Sequence, residues 1–195
     1  MSQKNSFTTA DPIEWNEAVN LVRHLYRDGN YTMSMFIGLG IFTGLRVSDI
    51  KRISWRMVLE GDGFEIIEQK TGKRREIRMN RGFQQHAKDC FNALQIKDMD
   101  QPCLISKKHG VYSTQRLNVL LKEIKDKYKV KCKHCSCHSL RKTYGLKIYT
   151  SSNENASVAL ATLSSLYNHA SVNVTMKYLN ITREKLLATY DLLTF

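Results

Sequence analysis

Arg46 and Asp49 open the chemistry of this chain. The run Thr43-Gly44-Leu45-Arg46-Val47-Ser48-Asp49-Ile50 puts an arginine at a helix start, with an aspartate three residues on along the same face. An aspartate so placed can hydrogen-bond a guanidinium and aim it; taken alone, the pair also fits an ordinary surface ion pair. His138-Ser139-Leu140-Arg141 sets two cationic or titratable groups three apart on one helical face. Such pairs arise by chance, and His24-Leu25-Tyr26-Arg27 is a second instance, read as background. His169 and Tyr178, nine apart, fit a helix-cap histidine and a core tyrosine as readily as two reacting groups. Arginine offers a planar, permanently charged fork to an oxyanion, histidine titrates near neutrality, and tyrosine is a nucleophile once it loses its proton.

Cys132-Lys133-His134-Cys135-Ser136-Cys137-His138 invites a zinc reading. A tetrahedral site usually takes its second ligand pair from a more distant turn, and Cys90 and Cys103 stand at no useful spacing. With five cysteines and no signal peptide in the polar start, reduced thiols are expected, with no metal and no disulfide framework.

The formal net charge is +12. Residues 1–100 carry fifteen basic and thirteen acidic side chains, residues 101–150 twelve and two, and residues 151–195 three of each. The excess therefore sits in one quarter of the chain, which includes Lys127, Lys129, Lys131, Lys133, Arg141 and Lys142. A lysine-rich solvated face would look similar, but an uncompensated stripe repels itself unless a polyanion screens it. No apolar run reaches the roughly 18 residues that a membrane span needs, so a cytoplasmic, nucleoid-associated protein is expected.

These side chains need elements to carry them. Asp11-Pro12-Ile13-Glu14 reads as a helix start, with Asp11 as N-cap, and the helix runs to about Arg27. A buried helix is expected over Tyr31 to Phe42, broken at Thr43-Gly44, with another from Leu45 to Ile53. Met57 to Leu59, Phe64 to Gln69 and Glu76 to Met79 suggest a small antiparallel sheet, with Lys70-Thr71-Gly72-Lys73 as a basic hairpin tip. Further helices are expected at about 82–94, 114–128, 139–150, 156–166, 172–179 and 182–193. The fold class is α+β, mainly helical, organised as a polar leader (1–10), one domain (11–180) and a tail helix (181–195) with no linker. Leu186, Leu187, Tyr190, Leu193 and Phe195 recur at helical spacing in that tail, which suits subunit contact.

In this order the pieces resemble the catalytic domain of the tyrosine recombinases, the phage-integrase family. The matching residues are Thr-Gly-Leu-Arg46-Val-Ser-Asp49, Lys70-Thr-Gly-Lys73, His138-Ser-Leu-Arg141-Lys-Thr-Tyr-Gly, and Leu166-Tyr-Asn-His169 with Tyr178 following. The resemblance implies that Arg46, Lys70, His138, Arg141 and His169 assist and that Tyr178 is the nucleophile. Two positions depart from the pattern. Asn168 replaces the usual glycine before the second histidine, and asparagine best tolerates a left-handed turn. Lys142 follows Arg141 where a basic aromatic is common.

The implied activity is site-specific DNA cleavage and rejoining through a 3′-phosphotyrosyl bond, serving integration, excision or inversion. Arg46 and Arg141 would hold the non-bridging oxygens, with Asp49 behind them. Ionising a tyrosine at pH 7 costs roughly 4 kcal/mol, so His138 would take its proton. Lys70, or Lys73 as runner-up, would protonate the leaving 5′-oxygen. Lys73, Lys127, Lys129, Lys131, Lys133 and Lys142 would touch DNA backbone. The chemistry calls for no cofactor. The implied partner is double-stranded DNA, bound by a homotetramer on synapsed sites and by a protein that is monomeric when free. The chain is expected to be a short recombinase, resembling the fimbrial phase-switch enzymes in size, or an excised catalytic domain. A type IB topoisomerase, a catalytically silent DNA-binding protein and a zinc-binding nucleic-acid module are the rival readings.

Overall fold

The apolar residues from Met33 to Ile41 leave no polar stripe along their helix, and that helix becomes the centre of a core. The computed structural model describes residues 10–106, 110–152, 156–179 and 181. The leader through residue 9 and the tail helix at 182–193 lie outside the described residues. The chain packs as two units that part between Tyr144 and Gly145. That point falls inside a helix, so no composition change marks it.

The first unit runs from Ala10 to Tyr144. Helix α1 (Trp15–Arg27) buries Ala18, Leu21, Val22 and Leu25 along one stripe. Its N-cap is Glu14, whose carboxylate accepts from the Glu17 N–H at 2.8 Å, and not Asp11 as the sequence suggests. Asp11 is engaged elsewhere: its carboxylate accepts from His134 N–H at 3.0 Å. Helix α2 (Tyr31–Thr43) ends at Gly44, and α3 (Val47–Ile50) follows as a single turn.

Met57 to Leu59 is no strand. It belongs to α4 (Trp55–Leu59), started by Ser54, whose hydroxyl accepts from Met57 N–H. The sheet is a two-stranded hairpin of β1 (Gly63–Ile67) and β2 (Arg74–Arg78), antiparallel, with Ile66 opposite Arg75 and Ile67 opposite Arg74. Helices α5 (Arg81–Ala93) and α6 (Thr114–Tyr128) start on the side-chain caps Asn80 and Ser113. Helix α7 (Cys137–Ser151) begins in this unit, where Leu140 packs so close to Gly40 that a β-carbon there would lie 2.6 Å away.

The second unit begins at Gly145 and holds the rest of α7, α8 (Ala156–Tyr167) and α9 (Val172–Tyr178). Leu163, Tyr167, Thr175, Leu179 and Ile181 are buried in it. Among the described residues no helix is long and apolar enough to cross a membrane.

Candidate active site

The turn that ends α2 is the anchor of the first unit's polar cluster. Gly44 stands at φ +60°, and a β-carbon on it would strike the Tyr144 ring, so the turn requires glycine. Two carbonyls at this helix C-terminus, the negative end of its dipole, each take an arginine. Arg141 Nη1 donates to Gly44 O at 2.7 Å, and Arg75 Nη2 donates to Thr43 O at 2.6 Å. Two residues on, Arg46 caps α3 in extended conformation.

Arg46 is held by a carboxylate, but the carboxylate is Glu68. Arg46 Nη1 donates to Glu68 Oε2 at 2.6 Å. Asp49, expected to aim the guanidinium, is fully buried and accepts instead from the Gln69 N–H at 2.8 Å, which fixes where the hairpin turns. Glu68 N–H donates to Lys73 O at 2.9 Å, and Gly72 N–H donates back to Glu68 O at 2.8 Å. These bonds close the tip that carries Lys70 and Lys73, both exposed. Burial works to raise the pKa of Glu68; the charge and hydrogen bond of Arg46, the Thr71 hydroxyl and the charge of Arg141 outweigh it and hold the group below its ordinary value.

His138 rises from the first turn of α7, where Asn118 Oδ1 accepts from Cys137 N–H at 2.9 Å. Its pKa is lowered, first because surrounding protein desolvates the ring although the residue keeps an exposed edge. The charges of Arg141, Lys142, Lys70 and Arg46 then lower it further. The first unit thus gathers Arg46, Lys70, His138 and Arg141 into one electrostatic neighbourhood, in which burial and positive charge favour the neutral form of the His138 ring.

His169 and Tyr178 lie in the second unit. Asn168 stands at φ +53°, the left-handed turn expected of it. Asn168 N–H donates to Ser165 O and His169 N–H to Ser164 O, both at 3.0 Å, which is the paired pattern of a Schellman helix end. The turn delivers His169 beside α9, where its Nδ1 lies 2.9 Å from Thr175 Oγ1. The rings of Tyr167, His169 and Tyr178 meet edge to face, with centroids 5.3–5.5 Å apart. Gly145 admits this cluster: a β-carbon there would lie 2.5 Å from Tyr167 Oη and 2.7 Å from Leu179 Cδ2.

The lysines divide. Lys127, Lys129, Lys131 and Lys133 are exposed at the end of α6 and in the segment leading to α7. Lys127 Nζ is paired with Asp28 at 2.8 Å. Lys142, expected to touch DNA backbone, is buried at 1% exposure, on a stretch of α7 enclosed on all sides, where Leu140, Arg141 and Thr143 are buried as well. The cysteines are free thiols and all buried, and Cys132 Sγ donates to Asp11 O at 3.4 Å. Among the described residues no group of three or more His, Cys, Asp or Glu could hold a metal ion.

Sequence reasoning missed Glu68 and Arg75. The signal was present. With a period of two, Phe64, Ile66 and Glu68 share a phase, and Arg75 and Ile77 face the same way across the hairpin. A carboxylate and a guanidinium in the inward phase of a two-stranded sheet must answer each other or something beside them.

The model of the phage integrase family matches residues 12–185, and the chain belongs to that family. Its fold is that of known recombinase structures. XerA recombinase matches at a TM-score of 0.70 and 17% identity, covering 92% of this chain and 64% of that one. XerH site-specific recombinase, in a post-cleavage complex with palindromic difH substrate, matches at 0.67 and 14%, covering 97% and 55%. A lambda integrase dimer bound to a COC′ core site matches at 0.61 and 14%, covering 90% and 61%. The chain therefore spans less than two thirds of the length of these relatives. No curated protein matches it.

Proposed function

We propose that the chain is a site-specific tyrosine recombinase that cleaves and rejoins DNA strands through a 3′-phosphotyrosyl intermediate, in integration, excision or inversion of a mobile or invertible element. The observation that carries the reading is the convergence of Arg46 and Arg141 near one turn, with His138 in their field and its pKa lowered by it. Two fixed guanidiniums suit the two non-bridging oxygens of a phosphodiester, whose charge grows as the phosphorus becomes pentavalent.

In the step itself Tyr178 Oη bonds to phosphorus while the bond from phosphorus to the 5′-oxygen breaks. The tyrosine proton passes to His138, and Lys70 gives a proton to the leaving oxygen; Lys73, on the same tip, is the runner-up. His169 hydrogen-bonds the phosphate or packs the site. One phosphodiester is exchanged for another ester, so the bond energy is kept for rejoining. Among the solved relatives, XerH is a post-cleavage complex on its difH substrate and lambda integrase a dimer on a core site. For this chain the partner is double-stranded DNA, with a homotetramer on synapsed sites, a monomer in solution and a cytoplasmic, nucleoid-associated setting.

The test uses nicked duplexes built from the DNA that flanks the chain's own gene. Wild-type protein forms a covalent adduct that survives denaturing gels. Tyr178→Phe, which removes one oxygen and keeps the ring, folds and binds DNA but forms none. A Tyr178→Phe protein that still becomes attached overturns the assignment.

A further inference from the structure

Glu68 lies deep in the cationic cluster, with its residue only 3% exposed. Burying a carboxylate costs several kcal/mol unless partners repay it, so its surroundings should explain why it is there. Oε2 accepts from Arg46 Nη1 at 2.6 Å and from Thr71 Oγ1 at 3.0 Å. Oε1 faces Arg75 Nη1 at 3.5 Å, and Arg75, itself buried, donates to Thr43 O. One carboxylate therefore joins the Arg46 segment, the α2 terminus and the hairpin tip that carries Lys70.

We infer that Glu68 is a positioning residue for strand cleavage, which sets the plane of the Arg46 fork and locks the Lys70 hairpin to it. The inference rests on the recombinase reading above. A different role would be a placeholder, a carboxylate seated where a phosphate belongs and expelled when DNA arrives. The hairpin argues against expulsion. Glu68 N–H and C=O are both bonded across the tip, to Lys73 O and Gly72 N–H, and its side chain bonds Thr71 of the same tip. The carboxylate is thus part of the turn, and leaving would open the turn. A guanidinium has five N–H donors, and the bond to Oε2 uses one of them to fix the plane in which the others lie.

The experiment compares adduct formation and noncovalent DNA affinity on the nicked duplexes for wild type, Glu68→Gln, Arg46→Lys and the double variant. Glu68→Gln should slow adduct formation at least about tenfold, the scale of a misplaced reacting group, while affinity stays within about threefold. In the Arg46→Lys background the same change should cost less than about threefold, because the two residues act as one unit. A Glu68→Gln protein as fast as wild type, or faster, overturns the inference, as do losses that simply multiply. If Glu68→Gln does not fold, Thr71→Val removes the hydroxyl bonded to Oε2 and keeps the shape; it should slow the reaction at least about threefold, and an unchanged rate overturns the inference. A wild-type protein that forms no adduct overturns the recombinase reading and this inference together; an active wild type with an unaffected Glu68→Gln overturns this inference alone.

Discussion

At the scale of single residues, His138 shows how an environment chooses a protonation state. Desolvation and four cations hold its pKa below 6.5, so in the free protein it is a base waiting for a proton. A bound phosphate brings negative charge into the same neighbourhood and must push that pKa back up. The second-order rate of adduct formation, which reports the free protein, should therefore fall in acid with a midpoint below 6.5 and stay flat from there to pH 7.5. The first-order rate at saturating DNA should fall with a midpoint shifted upward. His138→Gln should remove the acid limb from both profiles. A second-order midpoint at or above 6.5, or a limb that persists in His138→Gln, would show that the titrating group is another one. The motifs single out Arg46, His138 and Arg141 by order and spacing, and the fold brings the three into one neighbourhood. Glu68 and Arg75 were not legible in the sequence, because a charged side chain in Glu65–Glu68 or Arg74–Glu76 looks like a solvated face until strand pairing decides which phase points inward.

At the scale of elements, caps and close approaches explain what the sequence revealed. Helices α5, α6 and α9 lie within a residue or two of their expected ranges, and in the structure Asn80, Ser113 and Ser171 each spend a side-chain oxygen on the first free N–H groups. α4 was misread as a strand because five residues are too few to show a period, and its cap lies outside the apolar run. The helix interior offers a sharper test at Gly145. Replacing a helical glycine by alanine normally gains up to about 1 kcal/mol. Here the new methyl would meet Tyr167 Oη at 2.5 Å and Leu179 Cδ2 at 2.7 Å, in a cluster where Tyr167 is fully buried. Overpacking of that kind costs about 1–3 kcal/mol, so the clash should win. Gly145→Ala should lower stability by about 1–2 kcal/mol in urea unfolding and disturb the ring cluster around Tyr178. A variant more stable than wild type would mean that the rings yield at no cost.

At the scale of the whole molecule, the +12 charge is uneven in sequence and unequal in availability. Lys142 is buried, and Lys127 is held by Asp28, to which the Tyr128 hydroxyl also donates at 2.6 Å. Lys129, Lys131 and Lys133 are exposed along the stretch that leads into α7, and the backbone of Lys131 is fixed by Glu17 at 2.9 Å. An exposed ion pair is worth at most about 1 kcal/mol, so Lys127 could leave Asp28 for a phosphate. Doing so would strand a carboxylate beside the DNA, which cancels much of the gain. Each phosphate contact contributes about −0.9 to the slope of log affinity against log salt. Changing Lys129, Lys131 and Lys133 together to glutamine should flatten that slope by about 2–3, whereas Lys127→Gln alone should change it by less than about 0.5. Titrations of one labelled duplex between low and moderate salt decide the matter. Equal effects for Lys127 and any one of the three would show that the Asp28 pair opens freely on DNA, and an unchanged slope for the triple variant would leave the stripe a solvated face after all.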